Sequence, residues 1–238
     1  MTKEIVDLHM HVVPGLDDGA RNLKEALVML CMAADQGVTD VFCTTHNGST
    51  KEDADAYFHN LDLLKKMVAK AELDIRLHQG CEVLCSSDYM EDIIYGLDIG
   101  AFPTLGNTKY VLTELYPDAK PSEAVTIIKT MQEHGYKPII AHMERNYNIT
   151  DMMVGVLIKC GALIQVNTFS FQEDPREDVR KRAQTLLQNR HVHFIGSDAH
   201  RIDHRPPIIE SGVEYIINNA SPEYAEQILC GNAKCLLM

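Results

Sequence analysis

Two histidines one residue apart, His9 and His11, stand near the start of the chain, and the same spacing returns near its end in Asp198 and His200. Residues two apart on an extended strand point to the same side, so each pair can present both donors to one cation. Imidazole with carboxylate suits zinc, manganese or iron rather than the metals that prefer thiolate. More donors close other apolar runs: His46 after Thr44-Thr45, Glu82 after Gly80-Cys81, then Glu114, and His142 after Ala141. The loop after the first run holds Asp17-Asp18-Gly19. Gly19 suits a turn, and one carboxylate can aim back at a metal; the spacing does not choose between the two. His59, His78, His134, His191 and His193 lack such a context and read as packing or surface residues.

Elements must bring these donors together. Short β-branched runs at 4–8, 38–44, 74–82, 110–114, 138–141, 162–167 and 192–196 read as strands. Amphipathic stretches at 22–36, 52–71, 86–95, 122–134, 150–159, 174–189, 207–218 and 222–229 read as helices. Gly37, Gly135 and Gly161 serve as helix stops, and Pro121-Ser122-Glu123 and Ser221-Pro222-Glu223 as starts. Such repetition implies a parallel sheet covered by helices. Six of the seven expected strands deliver a His, Asp or Glu at the carboxyl end. In a closed α/β barrel those ends converge on one face, whereas in an open sheet they are strung along a crevice and cannot all meet. The expectation is an α/β barrel, one domain over residues 1–238.

Composition removes other classes. With 45% hydrophobic residues the chain can build a sizeable core. Against 34 Asp and Glu stand 22 Lys and Arg, and a net charge of -12 repels nucleic acid at long range. No apolar run approaches the ~18 residues of a membrane span. The opening Met1-Thr2-Lys3-Glu4-Ile5-Val6-Asp7 carries acidic residues where a secretory signal would be apolar, so the expected location is cytoplasmic. Seven scattered Cys read as reduced thiols. No Cys has an Arg six positions later, which excludes the thiolate loop of Cys-dependent phosphatases. A Walker loop and a Gly-x-Ser-x-Gly elbow are absent too.

His9-Met10-His11, Asp17-Asp18-Gly19, Thr44-Thr45-His46, Gly80-Cys81-Glu82, Ala141-His142-Met143-Glu144-Arg145-Asn146 and Gly196-Ser197-Asp198-Ala199-His200 resemble, in this order, the PHP (polymerase and histidinol phosphatase) superfamily. The similarity is greatest to the bacterial manganese-dependent tyrosine-protein phosphatases of capsular and exopolysaccharide operons. It runs from the first strand to Arg205-Pro206-Pro207. The resemblance implies a distorted (β/α)7 barrel with three divalent metals, manganese foremost. It assigns His9, His11, Glu82 and Asp198 to the first metal. Glu82, Glu114 and His142 go to the second, and Asp18, His46 and His200 to the third. Arg145 and Arg205 match arginines that receive the substrate phosphate. Met143 and Asn47 depart from the family pattern without removing a matched ligand.

Three divalent cations against four matched carboxylates leave the cluster with about two positive charges, a good partner for a phosphate monoester dianion. A metal-bridging water of lowered pKa is then expected to attack phosphorus in line, with Asp198 or His200 assisting proton transfer. Tyr116 and Phe169 are candidates for lining a phenyl pocket, equally suited to rim packing, and Arg201 is a third arginine nearby. The implied substrate is a phosphotyrosine-bearing protein, a tyrosine kinase of polysaccharide export; whether the chain forms a homo-oligomer is left open. A phosphatase of small molecules such as histidinol phosphate shares the same site requirements. A catalytically idle metal-binding module is a third reading, though all nine matched ligand positions are filled. A nuclease would need a basic track that the composition lacks.

Overall fold

The computed structural model describes residues 4–174 and 176–237; Met1-Thr2-Lys3, part of the opening on which the expected location rests, and Met238 of the expected domain lie outside them. The first sheet holds β1 (Ile5–Met10), β2 (Val38–Cys43) and β3 (Arg76–Gln79) in that order, all parallel. The second holds β4 (Glu82–Cys85), β5 (Tyr110–Leu115), β6 (Lys137–Ile140), β7 (Leu163–Asn167) and β8 (Phe194–Gly196), again parallel and in sequence order. Helices α1 (Leu23–Asp35), α2 (Lys51–Lys70), α3 (Met90–Asp98), α4 (Pro121–Glu133), α5 (Asp151–Lys159), α6 (Glu177–Gln188), α7 (Glu210–Asn219) and α8 (Pro222–Leu229) pack outside the strands.

Backbone bonds join the two sheets at both margins, which makes a distorted barrel. At one seam Asp198 N–H donates to His9 O at 2.7 Å and His11 N–H to Ala199 O at 2.9 Å. At the other, Glu82 N–H donates to Thr44 O at 3.0 Å. Gly196 allows the first seam: a Cβ there would stand 2.5 Å from His9 Cβ. The barrel interior is filled by Val6, Leu8, Phe42, Leu112, Ile139 and Phe194, with Leu236 of the C-terminal turn packed onto them.

The single strand expected at 74–82 is two. Its ladder with β2 ends at the Cys43–Gln79 pair. Gly80 N–H then donates to the Tyr57 hydroxyl at 3.0 Å, and that hydroxyl donates to Cys43 O at 2.7 Å. The chain thereby leaves β2 and re-enters the ring as β4, so Glu82 opens a strand rather than closing one. Helix starts follow their sequence signals. Asn22 Oδ1 accepts from Lys24 N–H and Glu25 N–H, and Thr50 with Asp53 forms a capping box on α2.

Parity changes within β1, and that change delivers the histidines. Val6 and Leu8 belong to the interior and Met10 to the helix-facing shell. The β1–β2 register slips between Asp7 and Met10. His9 and His11 therefore both enter the mouth of the barrel just above Leu8, where a regular strand would have sent them outward.

Candidate metal centre

His9 and His11 are fully buried, and their Nε2 atoms stand 3.0 Å apart. Glu82 Oε2 lies 3.0 Å from the first and 3.1 Å from the second, and Asp198 Oδ1 lies 3.6 Å from both. Glu82 Oε1 approaches His142 Nε2 at 2.8 Å, and Glu114 Oε1 is 3.7 Å from the same nitrogen. His46 Nε2 is 3.4 Å from Glu82 Oε2 and 3.9 Å from Glu114 Oε2. His200 Nε2 is 3.5 Å from Asp18 Oδ1. All nine expected donors converge: eight of them fall into three compact groups among the described residues, His9, His11, Glu82 and Asp198; His11, Asp18 and His200; His46, Glu82 and Glu114; the ninth, His142, joins through Glu82 and Glu114. By distance His46 sits with Glu82 and Glu114, a neighbour set that spacing alone does not reveal.

The hydrogen bonds on the far side of each ring explain why the Nε2 atoms face inward. His9 Nδ1–H donates to Gln165 Oε1 at 3.3 Å and His11 Nδ1–H to Asp17 Oδ2 at 2.7 Å. His46 Nδ1–H donates to the Glu82 carbonyl at 3.0 Å and His200 Nδ1–H to the Asp198 carbonyl at 2.9 Å. Four rings thus spend their proton on an outer acceptor and turn a lone pair toward the carboxylates, the arrangement of metal-binding histidines. Lone pairs this close repel one another unless a cation lies between them, so the donor set fits divalent metal bound by nitrogen and oxygen.

Electrostatics agree. Burial disfavours a charged His11, yet Asp17 and Glu82 outweigh it and lift the imidazole pKa to about 10. The pocket therefore favours positive charge at that spot, which a cation on Nε2 would supply in place of the proton. Burial likewise works against the Glu82 carboxylate, but His9, His11 and His142 keep it well below the usual range. Glu114 moves the other way, raised by burial and by the Glu82 charge. His200 falls to about 3 through burial and its positive neighbour His11, which leaves the ring neutral. One side of the centre opens to solvent: Asp18, His46 and Glu114 are partly exposed while His9 and His11 are not.

Three residues here have left-handed backbone: His142, Asp198 and Arg205, with φ of 30°, 52° and 55°. Such strain in non-glycine residues is characteristic of functional sites. Arg145 Nη1 and Arg205 Nη1 donate to Asp198 Oδ2 at 2.6 and 3.2 Å. The Arg145 guanidinium lies 5.7 Å over the Phe169 ring. Tyr116 is half-exposed on the loop after β5, and its carbonyl accepts from Asn146 Nδ2 at 3.0 Å. Arg201 instead ties two loops together, donating to the carbonyls of Asp18 and Gly19. All seven cysteines are free, and burial pushes the thiols of Cys43 and Cys85 up to about 12, which removes them as nucleophiles.

Sequence reasoning missed the supports. The strand without an ionisable terminus, β7, contributes Gln165 and Asn167. Gln165 Oε1 accepts from His9 Nδ1–H and from His142 N–H, and Asn167 Nδ2 donates to Asp198 Oδ2. Their spacing of two on a buried strand is the same signal that marks His9 and His11.

A family model for capsular polysaccharide synthesis, CpsB/CapC, matches residues 5–238. The tyrosine-protein phosphatase CpsB of Streptococcus agalactiae serotype V is 29% identical over 243 residues, covering 98% of this chain and 98% of that protein. A solved structure from work on YwqE of Bacillus subtilis and CpsB of Streptococcus pneumoniae, named there as unique metal-dependent tyrosine phosphatases, superposes with a TM-score of 0.86. It is 26% identical and covers 98% of this chain and 94% of its own. The phosphotriesterase homology protein of Escherichia coli, solved with phosphate in its active site, shares the fold at a TM-score of 0.64 and 12% identity, covering 98% of each chain.

Proposed function

The chain belongs to the CpsB/CapC family of capsular polysaccharide synthesis, and on that footing we propose that it is a metal-dependent phosphatase acting on phosphotyrosine. The observation that carries this reading is the convergence of His9, His11, Glu82 and Asp198 within coordination distance of one another, with Glu114, His142, His46, Asp18 and His200 around them. His9, His11, Glu82 and Asp198 would hold one cation, Glu82, Glu114 and His142 a second, and Asp18, His46 and His200 a third, with His46 on the side of the third that faces Glu82 and Glu114. Three divalent ions, manganese foremost and zinc or iron as substitutes, suit these nitrogen and oxygen donors. Cations held there supply Lewis acidity, polarising phosphoryl oxygens and acidifying water near neutral pH.

The chain's own residues do the rest. The guanidinium groups of Arg145 and Arg205, already side by side on Asp198 Oδ2, turn their remaining N–H groups to the non-bridging oxygens of the phosphate. Asp198 stays ionised, because His9 and Arg145 outweigh its burial. Its Oδ2 accepts from Arg145, Arg205 and Asn167 together, so the carboxylate holds both guanidinium groups in place for the phosphate. His200, neutral and fixed through Nδ1–H on the Asp198 carbonyl, keeps its Nε2 lone pair free for a cation. Phe169, under the Arg145 guanidinium, and half-exposed Tyr116, tied through its carbonyl to Asn146, would line the approach of the phenyl ring. The partial exposure of Asp18, His46 and Glu114 supports an approach wide enough for a residue carried on a protein. The proposed physiological substrate is a bacterial tyrosine kinase of polysaccharide export, met in the cytoplasm. Among the described residues, no helix is long and apolar enough to cross a membrane.

The test is manganese-dependent phosphate release from a phosphotyrosine peptide and from histidinol phosphate at matched metal loading. Faster release from the peptide is expected. Equal or faster release from histidinol phosphate overturns the substrate assignment, and no release from either in the metal-loaded protein overturns the activity.

A further inference from the structure

Asp17 and Asp18 are adjacent and chemically identical, yet the fold uses them differently. The Asp18 side chain is 63% exposed and reaches toward His200. The Asp17 side chain is 7% exposed and turns inward. Its Oδ2 accepts two hydrogen bonds, from His11 Nδ1–H at 2.7 Å and from the backbone N–H of His46 at 2.8 Å. Its Oδ1 accepts a third, from Gly19 N–H at 2.8 Å. His11 is carried by the chain leaving β1 and His46 by the chain leaving β2, so one carboxylate ties together donors from two neighbouring strands.

We propose that Asp17 is a positioning residue of this centre, whose carboxylate fixes the tautomer and aim of His11 and locks His46 to the same frame. The inference rests on the metal-centre reading above and extends it to a residue that would touch no cation. His11 has two ring nitrogens, and only the one without a proton can ligate. An anionic acceptor on Nδ1 keeps the proton there, leaves the lone pair on Nε2 and makes that lone pair a stronger donor. A water or an amide in place of the carboxylate supplies less. Three N–H groups point at two oxygens, so an asparagine, whichever way its amide is turned, sets a donor against a donor. Turned one way it loses the Gly19 bond; turned the other it opposes His46 N–H and inverts the tautomer of His11. Gly19 belongs to the same device: a Cβ at that position would run into the His11 carbonyl, so the loop can fold back over His11 only with glycine there.

The experiment is manganese binding to the metal-stripped full chain, followed by calorimetry and by metal content after dialysis, for the natural protein and for D17N, D17E and N22A. Asn22 caps α1 at the end of the same loop but touches none of the nine donors, so N22A perturbs the loop without the proposed link. The expected result is about 10- to 100-fold weaker manganese binding in D17N, part of it recovered in D17E, with N22A binding as the natural protein does while melting at a lower temperature. Unchanged affinity in D17N overturns the role of Asp17 and leaves the metal centre standing. Equal losses in D17N and N22A also overturn it, because general order in the loop is then what matters. Failure of the natural protein to bind manganese, zinc or iron overturns the metal centre itself.

Discussion

Arg145 Nη1 donates to Asp198 Oδ2 at 2.6 Å, while Asp198 Oδ1 lies 3.6 Å from the Nε2 atoms of both His9 and His11. One carboxylate thus faces the donor cluster with one oxygen and the arginine with the other. On the proposed function, the arginine that would meet phosphate is aimed by the same residue that would help to hold the cations, so charge on the substrate and charge in the centre would be registered to a single side chain. Arg205 reaches the same oxygen at 3.2 Å, and Asn167 Nδ2 reaches it at 3.1 Å.

This sharing predicts how Arg145 variants behave. In R145A, Asp198 Oδ2 keeps Arg205 and Asn167, so the donor cluster should stay in place and manganese content should be unchanged. Transition-state charge on phosphorus loses one donor, and kcat/KM on a phosphotyrosine peptide should fall by roughly 100- to 1,000-fold. R145K keeps the charge but not the fork, and should recover only a small part. Metal analysis alongside steady-state kinetics checks this; loss of metal in R145A would show that Arg145 holds the centre together rather than the substrate.

Glu82 is the residue on which the donor groups converge. It lies within 3.4 Å of His9, His11 and His46 through Oε2 and at 2.8 Å from His142 through Oε1. In E82Q an amide N–H must point at one of these lone pairs. The expected outcome is more than ~100-fold weaker manganese binding and loss of turnover, with the circular dichroism spectrum retained. H142A should also lose most turnover while staying folded. H59A, changed at an exposed position on α2, should match the natural protein in both. Inductively coupled plasma mass spectrometry after dialysis reads the metal directly.

What could be read from the residues, and what could not, divides along a physical line. Strand and helix positions follow from local periodicity, and Asn22, Thr50 and Ser221 cap the helices they precede because capping needs only near neighbours. His9 and His11 pair because the period of a strand is local too. The break at Gly80-Cys81 was hidden: nothing in that run shows that Tyr57, more than twenty residues earlier, supplies the hydroxyl that draws Gly80 off the β2 ladder. The supports were hidden for the same reason. That Gln165 serves both His9 and His142 depends on the β6–β7 and β7–β8 registers, which are set by packing across the barrel. Nor does spacing show that His46 Nδ1–H finds the Glu82 carbonyl, a bond that sets Nε2 3.4 Å from Glu82 and 3.9 Å from Glu114.

Glu144, one residue before Arg145, is buried, and its Oε1 accepts from Asn167 N–H at 3.1 Å and from Ser170 Oγ at 2.8 Å. It pins the turn that carries His142 and Arg145 to the end of β7. Removing it in E144A leaves two buried donors without an acceptor and should cost about 1–3 kcal/mol in urea unfolding. E144Q keeps an acceptor oxygen and should lose less. If E144A unfolds at the same urea concentration as the natural protein, the turn is held by other contacts, such as those of Arg182 to the Asn146 and Ile149 carbonyls.

A second buried carboxylate, Asp40 on β2, sets an acid limit away from the centre. Arg76 Nε donates to its Oδ1 at 2.8 Å, as does His78 Nε2 at 2.8 Å, and Thr39 Oγ1 donates to Oδ2 at 2.9 Å. Burial works against the charge, but His78 and Arg76 outweigh it and hold the carboxyl well below the usual carboxylate range. A pKa depressed in the folded state adds stability above the unfolded value of about 3.9, and that stability is lost as pH falls from there toward the folded pKa. D40N should therefore be destabilised by about 2 kcal/mol at pH 7, a modest figure because Arg76 is half-exposed and regains water when released. The gap between D40N and the natural protein should narrow below pH 4, where the unfolded chain takes up the proton that the folded chain still refuses. Urea unfolding of both proteins, metal-stripped, at pH 7 and pH 3 checks the sign: a gap that widens in acid would mean that Asp40 is protonated in the folded barrel and that its partners hold it as a neutral acid.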